Sequence, residues 1–187
     1  MNDGVPLRDL DLTPDEKGNL RGFGLLSLKP ALVLLNTGEE SASPTQLITY
    51  DHKDSVILAI QGKLEMEISQ LDPDEAVMFM EEFGIQELAL TRVIQASYNL
   101  VNLQSFFTVG EDEVRAWNVR VGATALEAAG TVHTDLARGF IRAEVIPYTD
   151  LIEAGDMATA RKAGKVRLEG KDYIVQDGDI VHIRFSV

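Results

Sequence analysis

Three groups of residues in this chain have types and spacings that could do chemistry. His133-Thr134-Asp135 is followed closely by Arg138 and Arg142. An imidazole can stack on a nucleobase, and nearby guanidinia can meet phosphates. Asn36-Thr37-Gly38-Glu39 is a polar loop directly after an apolar run, and Gln61-Gly62-Lys63-Leu64-Glu65 follows a second such run. A phosphate cradle of the G-x-x-x-x-G-K-[S/T] kind uses backbone N–H groups freed by glycine, a lysine charge and a hydroxyl for magnesium. The Gly-Lys pairs here are Gly62-Lys63, Gly164-Lys165 and Gly170-Lys171, and none is followed by Ser or Thr. None has a glycine five residues before its own. Asp15-Glu16-Lys17-Gly18 fits D-x-x-G in letters, but it falls in the first turn of a predicted helix rather than after a strand.

Other chemistries find less material. With no cysteine there is no disulfide, zinc-thiolate site or thiol nucleophile. The histidines, His52, His133 and His182, lack metal-ligand spacing. No G-x-S-x-G elbow is present. Glu111/Glu113 and Asp177/Asp179 read as turn and loop residues. No residue is assigned a catalytic role and no metal site is predicted. His133-Thr134-Asp135 also has a purely structural reading, in which Thr134 and Asp135 cap a turn that His133 tethers. Trp117, Phe106 and Phe107 read as packing residues.

At 187 residues the chain can hold one domain or two small ones. No apolar run approaches the roughly 18 residues that span a bilayer, and Met1-Asn2-Asp3-Gly4 has no signal-peptide character. A cytoplasmic protein with no membrane partner is expected. The net charge of −13 opposes a general grip on nucleic acid. The charge is uneven, however: residues 1–103 carry 7 basic and 17 acidic residues, and 104–187 carry 10 and 13. The second half gathers Arg138, Arg142, Arg161, Lys162, Lys165, Arg167 and Lys171. They form either a solvated mixed-charge surface or a local basic face for RNA.

The elements that must position these residues change character near residue 104. Thr13-Pro14-Asp15-Glu16 predicts a helix start with a capping box, and Lys29-Pro30 predicts its end. Ala31–Leu35 and Val56–Ile60 predict strands buried on both faces of a parallel sheet. Helices are predicted over 63–71, over 72–83 with a cap and box at Asp72-Pro73-Asp74-Glu75, and over 88–103. Ala76, Val77, Phe79, Met80 and Phe83 form one apolar face; Leu90, Val93, Ile94, Ser97, Leu100 and Val101 form another. Met66, Met78 and Met80 read as core filler. Beyond residue 104, alternation predicts half-buried strands with Trp117, Val119 and Val121, then Ile141, Ala143 and Val145, then Val181, Ile183, Phe185 and Val187 inward. Helical pieces are predicted at 124–130 and 149–163, with tight turns at Glu169–Asp172 and Gln176–Asp179.

The stretch from 106 to 185 carries a resemblance. Phe106-Phe107-Thr108-Val109-Gly110, Glu113-Val114-Arg115-Ala116-Trp117, His133-Thr134-Asp135, Gly139–Val145 and Leu168–Asp179 together resemble the C-terminal TGS domain of the YchF/Obg-like ATPases, a branch of the P-loop GTPases. The resemblance implies an α/β chain: residues 1–103 are the base-binding end of a parallel-sheet nucleotide domain with helices, and 104–187 are a β-grasp, ubiquitin-like TGS domain. It implies that Asn36 and Glu39 are the N-x-x-E variant of a base-reading loop, with Gly62 and Lys63 in the next base loop. There Gln61 and Gly62 depart from the small residue and alanine usual in that family. Apart from the resemblance, Asn36–Glu39 reads simply as a polar loop after a strand. The resemblance also implies that His133, Thr134, Asp135, Arg138 and Arg142 border a face that meets RNA or another partner.

Base contacts without a phosphate cradle give little affinity, since much of the hold in such sites comes from the triphosphate and its magnesium. The chain alone is therefore expected to carry no cofactor, while ATP or GTP with Mg belongs to a full-length parent. Three roles follow: an RNA- or ribosome-binding module, part of a nucleotide hydrolase completed by a missing N-terminal half, or a protein–protein adaptor on the β-grasp sheet. A fragment and a truncated relative fit the sequence equally.

Overall fold

The computed structural model describes residues 4–38, 43–110 and 112–186. The chain divides into two compact units, Met1–Val101 and Asn102–Val187.

The first unit is helical around a small sheet. A 3-10 turn at Leu7–Asp9 precedes α1 (Pro14–Arg21), and another at Leu26–Leu28 follows it. The expected capping box is made: the Thr13 hydroxyl accepts from the Glu16 N–H and the Glu16 carboxylate accepts from the Thr13 N–H. Strand β1 (Ala31–Asn36), the short helix α2 (Pro44–Leu47) and strand β2 (Ser55–Ile60) come next. The strands pair in parallel, Ala31 against Ser55 through Asn36 against Ile60. Helices α3 (Gly62–Ile68), α4 (Pro73–Glu82) and α5 (Ala89–Leu100) complete the unit.

Several expectations fail here, and the reasons share an origin. The strands are not buried on both faces, and Leu34 is exposed. Among the described residues the sheet has two strands, so it offers little to cover a second face. Val77, Met66, Met78 and Phe83 are exposed rather than core, as are Leu90, Ile94 and Val101 of the third predicted face. Among the described residues, the buried apolar side chains of this unit are Leu64, Ile68 and Ala89. Asp72 makes no side-chain cap; Pro73, with its fixed φ, begins α4 without one.

The second unit is a five-stranded mixed sheet clasping a helix. Its strands are β3 (Leu103–Val109), β4 (Val114–Arg120), β5 (Phe140–Pro147), β6 (Arg167–Glu169) and β7 (Asp179–Phe185). They lie in the order β4-β3-β7-β5-β6, with β3 and β7 parallel at the centre and the other pairs antiparallel. This is the β-grasp arrangement. Helix α6 (Ala125–Val132) fills the inner face. Ala125, Ala128 and Ala129 are its buried stripe, small enough to let the helix lie close on Phe106, Val145 and Val181. Helix α7 (Thr134–Arg138) follows at once, and α8 (Tyr148–Ala154) and α9 (Met157–Lys162) cover Ile146 and Ile180 on the other face.

The helix predicted over 149–163 is thus two helices, because Gly155 turns the chain at φ 81° and Asp156 caps a new start at Thr159. Ile141 is 55 % exposed rather than inward, since a register shift between Phe140 and Arg142 breaks the alternation. Val121 lies just past the end of β4 and is exposed, as is Phe185 at the end of β7. Val187 lies outside the described residues.

One buried carboxylate is held by a tyrosine. Asp179 accepts from the Tyr173 hydroxyl at 2.7 Å and from the Gln176 N–H at 2.9 Å. Burial first, then the hydrogen bond and charge of Asp179, pushes the Tyr173 hydroxyl up to about 12. The folded state therefore keeps a proton that the unfolded chain loses near pH 10. The contribution is complete below that pH and disappears as pH rises toward 12. Denaturant unfolding at pH 9 and pH 11 is expected to differ by about 1 kcal/mol more in this protein than in Tyr173→Phe, after allowance for solvent screening. An identical pH dependence in the variant refutes the assignment.

Candidate functional site

The first candidate lies at the C-terminal ends of β1 and β2, where a parallel sheet presents its loops. Asn36 ends β1, and its side-chain oxygen accepts from the Gly62 N–H at 3.2 Å and the Gly38 N–H at 3.4 Å. Thr37 is tied to the same loop, its N–H donating to the Ile60 carbonyl at 2.9 Å. The two expected base loops are therefore clamped together, with the Asn36 amide as strut. A Cβ at Gly62 would stand 3.3 Å from the Asn36 side-chain nitrogen, so an alanine there would ask the amide to give by a few tenths of an ångström. Lys63 lies in the first turn of α3 and is already partnered. Glu39 lies outside the described residues.

Glu65 turns away from this pair of loops. Its carboxylate accepts the Ala89 N–H at the start of α5 and stands 3.7 Å from Arg92, which itself donates to the Ala59 carbonyl. The structure thus ties the two loops to each other through Asn36, and the chain has no G-x-x-x-x-G-K-[S/T]. Among the described residues, no group of His, Asp and Glu could hold a metal ion, and no helix is long and apolar enough to cross a membrane.

The second candidate is in the β-grasp unit. His133 separates α6 from α7 and caps the latter, its Nδ1 accepting from the Asp135 N–H at 3.2 Å. The Asp135 carboxylate also lies 3.5 Å from His133 Nδ1 and 3.3 Å from Arg138. His133, Thr134, Asp135 and Arg138 therefore form one local, exposed group, and the tethering role of His133 is real. Arg142 does not join it. It stands on β5, facing outward beside Ala143, which points into the core. Its cross-strand neighbour is Arg184 on β7. No hydrogen bond or ion pair holds Arg142 among the described residues.

Arg184 is what reading the sequence missed. Glu144, 4 % exposed, accepts from both Arg161 and Arg184. Burial alone would raise this carboxyl; the two guanidinia outweigh it and hold it below the ordinary range. The bridge fixes Arg184 beside Arg142, so two guanidinia share one outer stretch of sheet, with His182 exposed near them. The outward alternation of Arg184 was visible in the sequence, but its register against Arg142 was not. Trp117 is half-buried, donates to the Thr108 hydroxyl at 2.9 Å and lies under Arg115, as a packing residue does.

Comparison with known proteins gives this geometry its context. Residues 103–186 match the family model described as YchF-GTPase_C, protein of unknown function (DUF933). Over 186 residues the chain is 45 % identical to the ribosome-binding ATPase YchF of Pasteurella multocida, covering 97 % of this chain and 51 % of that protein. It is 44 % identical over 190 residues to the protein of that name in Bacillus subtilis. The chain spans about half the length of the curated relatives it matches. Its structure resembles that of the Schizosaccharomyces pombe YchF GTPase, with 29 % identity and a TM-score of 0.78, over 96 % of this chain and 50 % of that one. A GTP-binding protein from Pyrococcus horikoshii OT3 shares the fold, at 18 % identity and a TM-score of 0.53, over 94 % and 58 % of the two chains.

Proposed function

We propose, on the premise that this chain corresponds to the C-terminal part of the YchF/Obg-like ATPases, that it is the RNA- or ribosome-docking portion of such a protein. Residues 104–187 then act as a TGS domain and residues 1–103 as the base-binding end of the nucleotide domain. The relatives named ribosome-binding ATPases support the partner class. The observation that carries the reading is Arg142, unpaired and opposite Arg184 on the outer sheet face of a protein with net charge −13. Arg184 is held by Glu144, so Arg142 is the guanidinium left free on this stretch of sheet, and a phosphate there would meet it. His133, Thr134, Asp135 and Arg138 would border the same docking edge from α7.

The Asn36–Gly62 strut favours a second role for the first unit: part of a nucleotide hydrolase in which residues outside this sequence would supply the triphosphate site, ATP or GTP with Mg being the ligand of the whole. The chain itself holds no catalytic residue in this reading.

Ribosome cosedimentation at about 0.1 M salt tests the docking role. Replacing His133, Arg138 and Arg142 with alanine is expected to weaken retention roughly tenfold and to flatten its salt dependence, as loss of two phosphate contacts does. Retention unchanged in the triple variant would count against this face.

A further inference from the structure

Four of the seven basic residues in the first 103 positions converge on one cleft. Arg8, Lys17, Arg21 and Lys29 line it, Asp54 is its one carboxylate, and its volume is about 290 Å³. In the half of the chain that carries 17 acidic residues, such a gathering needs an account.

Three of the nearby acids are engaged elsewhere. Asp9 binds His52 at 2.7 Å and the Lys53 N–H at 2.9 Å; Asp11 binds Lys53; Glu16 is in the α1 capping box. Among the described residues, Lys17, Arg21 and Lys29 make no ion pair. Arg8 is 8 % exposed and makes no direct ion pair among the described residues, although its charge is felt by the neighbouring Asp9. One of its terminal nitrogens donates to the Lys29 carbonyl at 3.4 Å and the other to the Tyr50 hydroxyl, while its Nε is buried with no partner. A buried guanidinium with no directly paired carboxylate is costly. Lys17 and Arg21 are one helical turn apart on exposed positions of α1, so both can follow a ligand. Leu20, Leu25 and Leu28 give the cleft an apolar wall.

The cleft is also in a different place from the base loops. It borders Lys29, Pro30 and Asp54, which precede β1 and β2, whereas Asn36 ends β1 and Gly62 follows β2. It is therefore at the opposite end of the sheet.

We infer that this cleft binds a phosphate group, with Arg8 as the fixed, buried contact and Lys17, Arg21 and Lys29 as mobile ones. Guanidinium and ammonium groups that outnumber the lining carboxylates four to one are the chemistry that recognises phosphate. The phosphate could be that of a small free anion or of a single-stranded RNA backbone, and the test separates them.

Amide NMR shifts of the whole chain are followed while inorganic pyrophosphate, or a single-stranded RNA hexamer, is titrated at constant ionic strength. Saturable shifts are expected at Lys17, Arg21, Gly24 and Leu28, with Asn36, Gly38 and Gly62 unmoved. Saturation by pyrophosphate alone identifies a small anion. Saturation by RNA, with pyrophosphate only competing, identifies a backbone. Lys17→Gln with Arg21→Gln is expected to weaken binding at least tenfold; α1 has no buried residue, so the fold should survive. Linear, unsaturated shifts with both probes overturn the inference. So does binding that persists within twofold in the double variant, or movement at the Asn36 and Gly62 loops instead. The ribosome assay above does not involve these residues, so either result can fail alone.

Discussion

Native-state hydrogen exchange on the whole chain is expected to give amides of β5 and β7 at least about 100-fold more protection than amides of β1, a gap of about 3 kcal/mol. The cause is the unequal burial of apolar surface. Among the described residues the second unit has fourteen buried hydrophobics, including Phe106, Val145, Ile146, Val181 and Ile183, around one continuous core and a smaller satellite. The first has Leu64, Ile68 and Ala89. It exposes Phe23, Val77, Met78 and Leu90, with Leu26 78 % accessible. Stability scales with apolar area removed from water, about 25 cal/mol per Å², so a unit with so few buried side chains opens at low cost. The strand ladder makes the same point. In the described residues β1 pairs on one side with β2, while β7 is bonded on both sides, to β3 and β5. Equal protection in β1 and β7 would refute this asymmetry. A chain that spans half of its relatives can leave such a surface for further residues to cover.

The fold was more legible than the site, and the difference lies in how local each signal is. Thr13 and Glu16, or Thr124 and Glu127, make their capping boxes from residues three apart, so the letters suffice. Alternation located β4 and β7 for the same reason. Ile141 was misread because a register shift is a property of two strands, and Gly155 was passed over because its positive φ is not written in the residue type alone. The apolar faces of α4 and α5 were read with the correct period, but period does not say whether anything covers the face. Val77, Leu90 and Ile94 had nothing to pack on.

At the candidate sites the decisive facts are long-range. Asn36 and Gly62 both drew attention as loop residues, yet the hydrogen bond that clamps them depends on the parallel register of β1 and β2. Arg142 was picked as a companion of Arg138 by nearness in sequence. One lies on a strand and the other on α7, and the true neighbour of Arg142 is Arg184. The gathering of Arg8, Lys17, Arg21 and Lys29 could not be seen in composition, which counts only an acidic half.

Two glycine-to-alanine changes in the second unit are expected to act in opposite directions. Gly139 closes α7, its N–H donating to the Asp135 carbonyl at 2.9 Å, and its carbonyl accepts the Ser186 N–H at 2.9 Å. Its φ of −91° is open to any residue, so conformation does not demand glycine here. Space does. A Cβ would fall 2.2 Å from the Ser186 carbonyl oxygen, a backbone atom held by the ladder that pairs Phe140 with Phe185. Relief requires the last strand to move away from α7 and from the core beneath it. Gly139→Ala is expected to cost about 3 kcal/mol, which for a unit of this size is roughly 15 °C in Tm. Gly130 lies inside α6, and a Cβ there would meet Ala137 at an ordinary 3.6 Å. Removing its backbone freedom is expected to leave stability unchanged or raise it by up to ~1 kcal/mol. Thermal unfolding of the two variants, followed by circular dichroism, decides the matter. If Gly139→Ala melts within about 2 °C of the parent, less than the shift from 1 kcal/mol, the approach of Gly139 to Ser186 is not as close as described and the C-terminal strand is not pinned at α7.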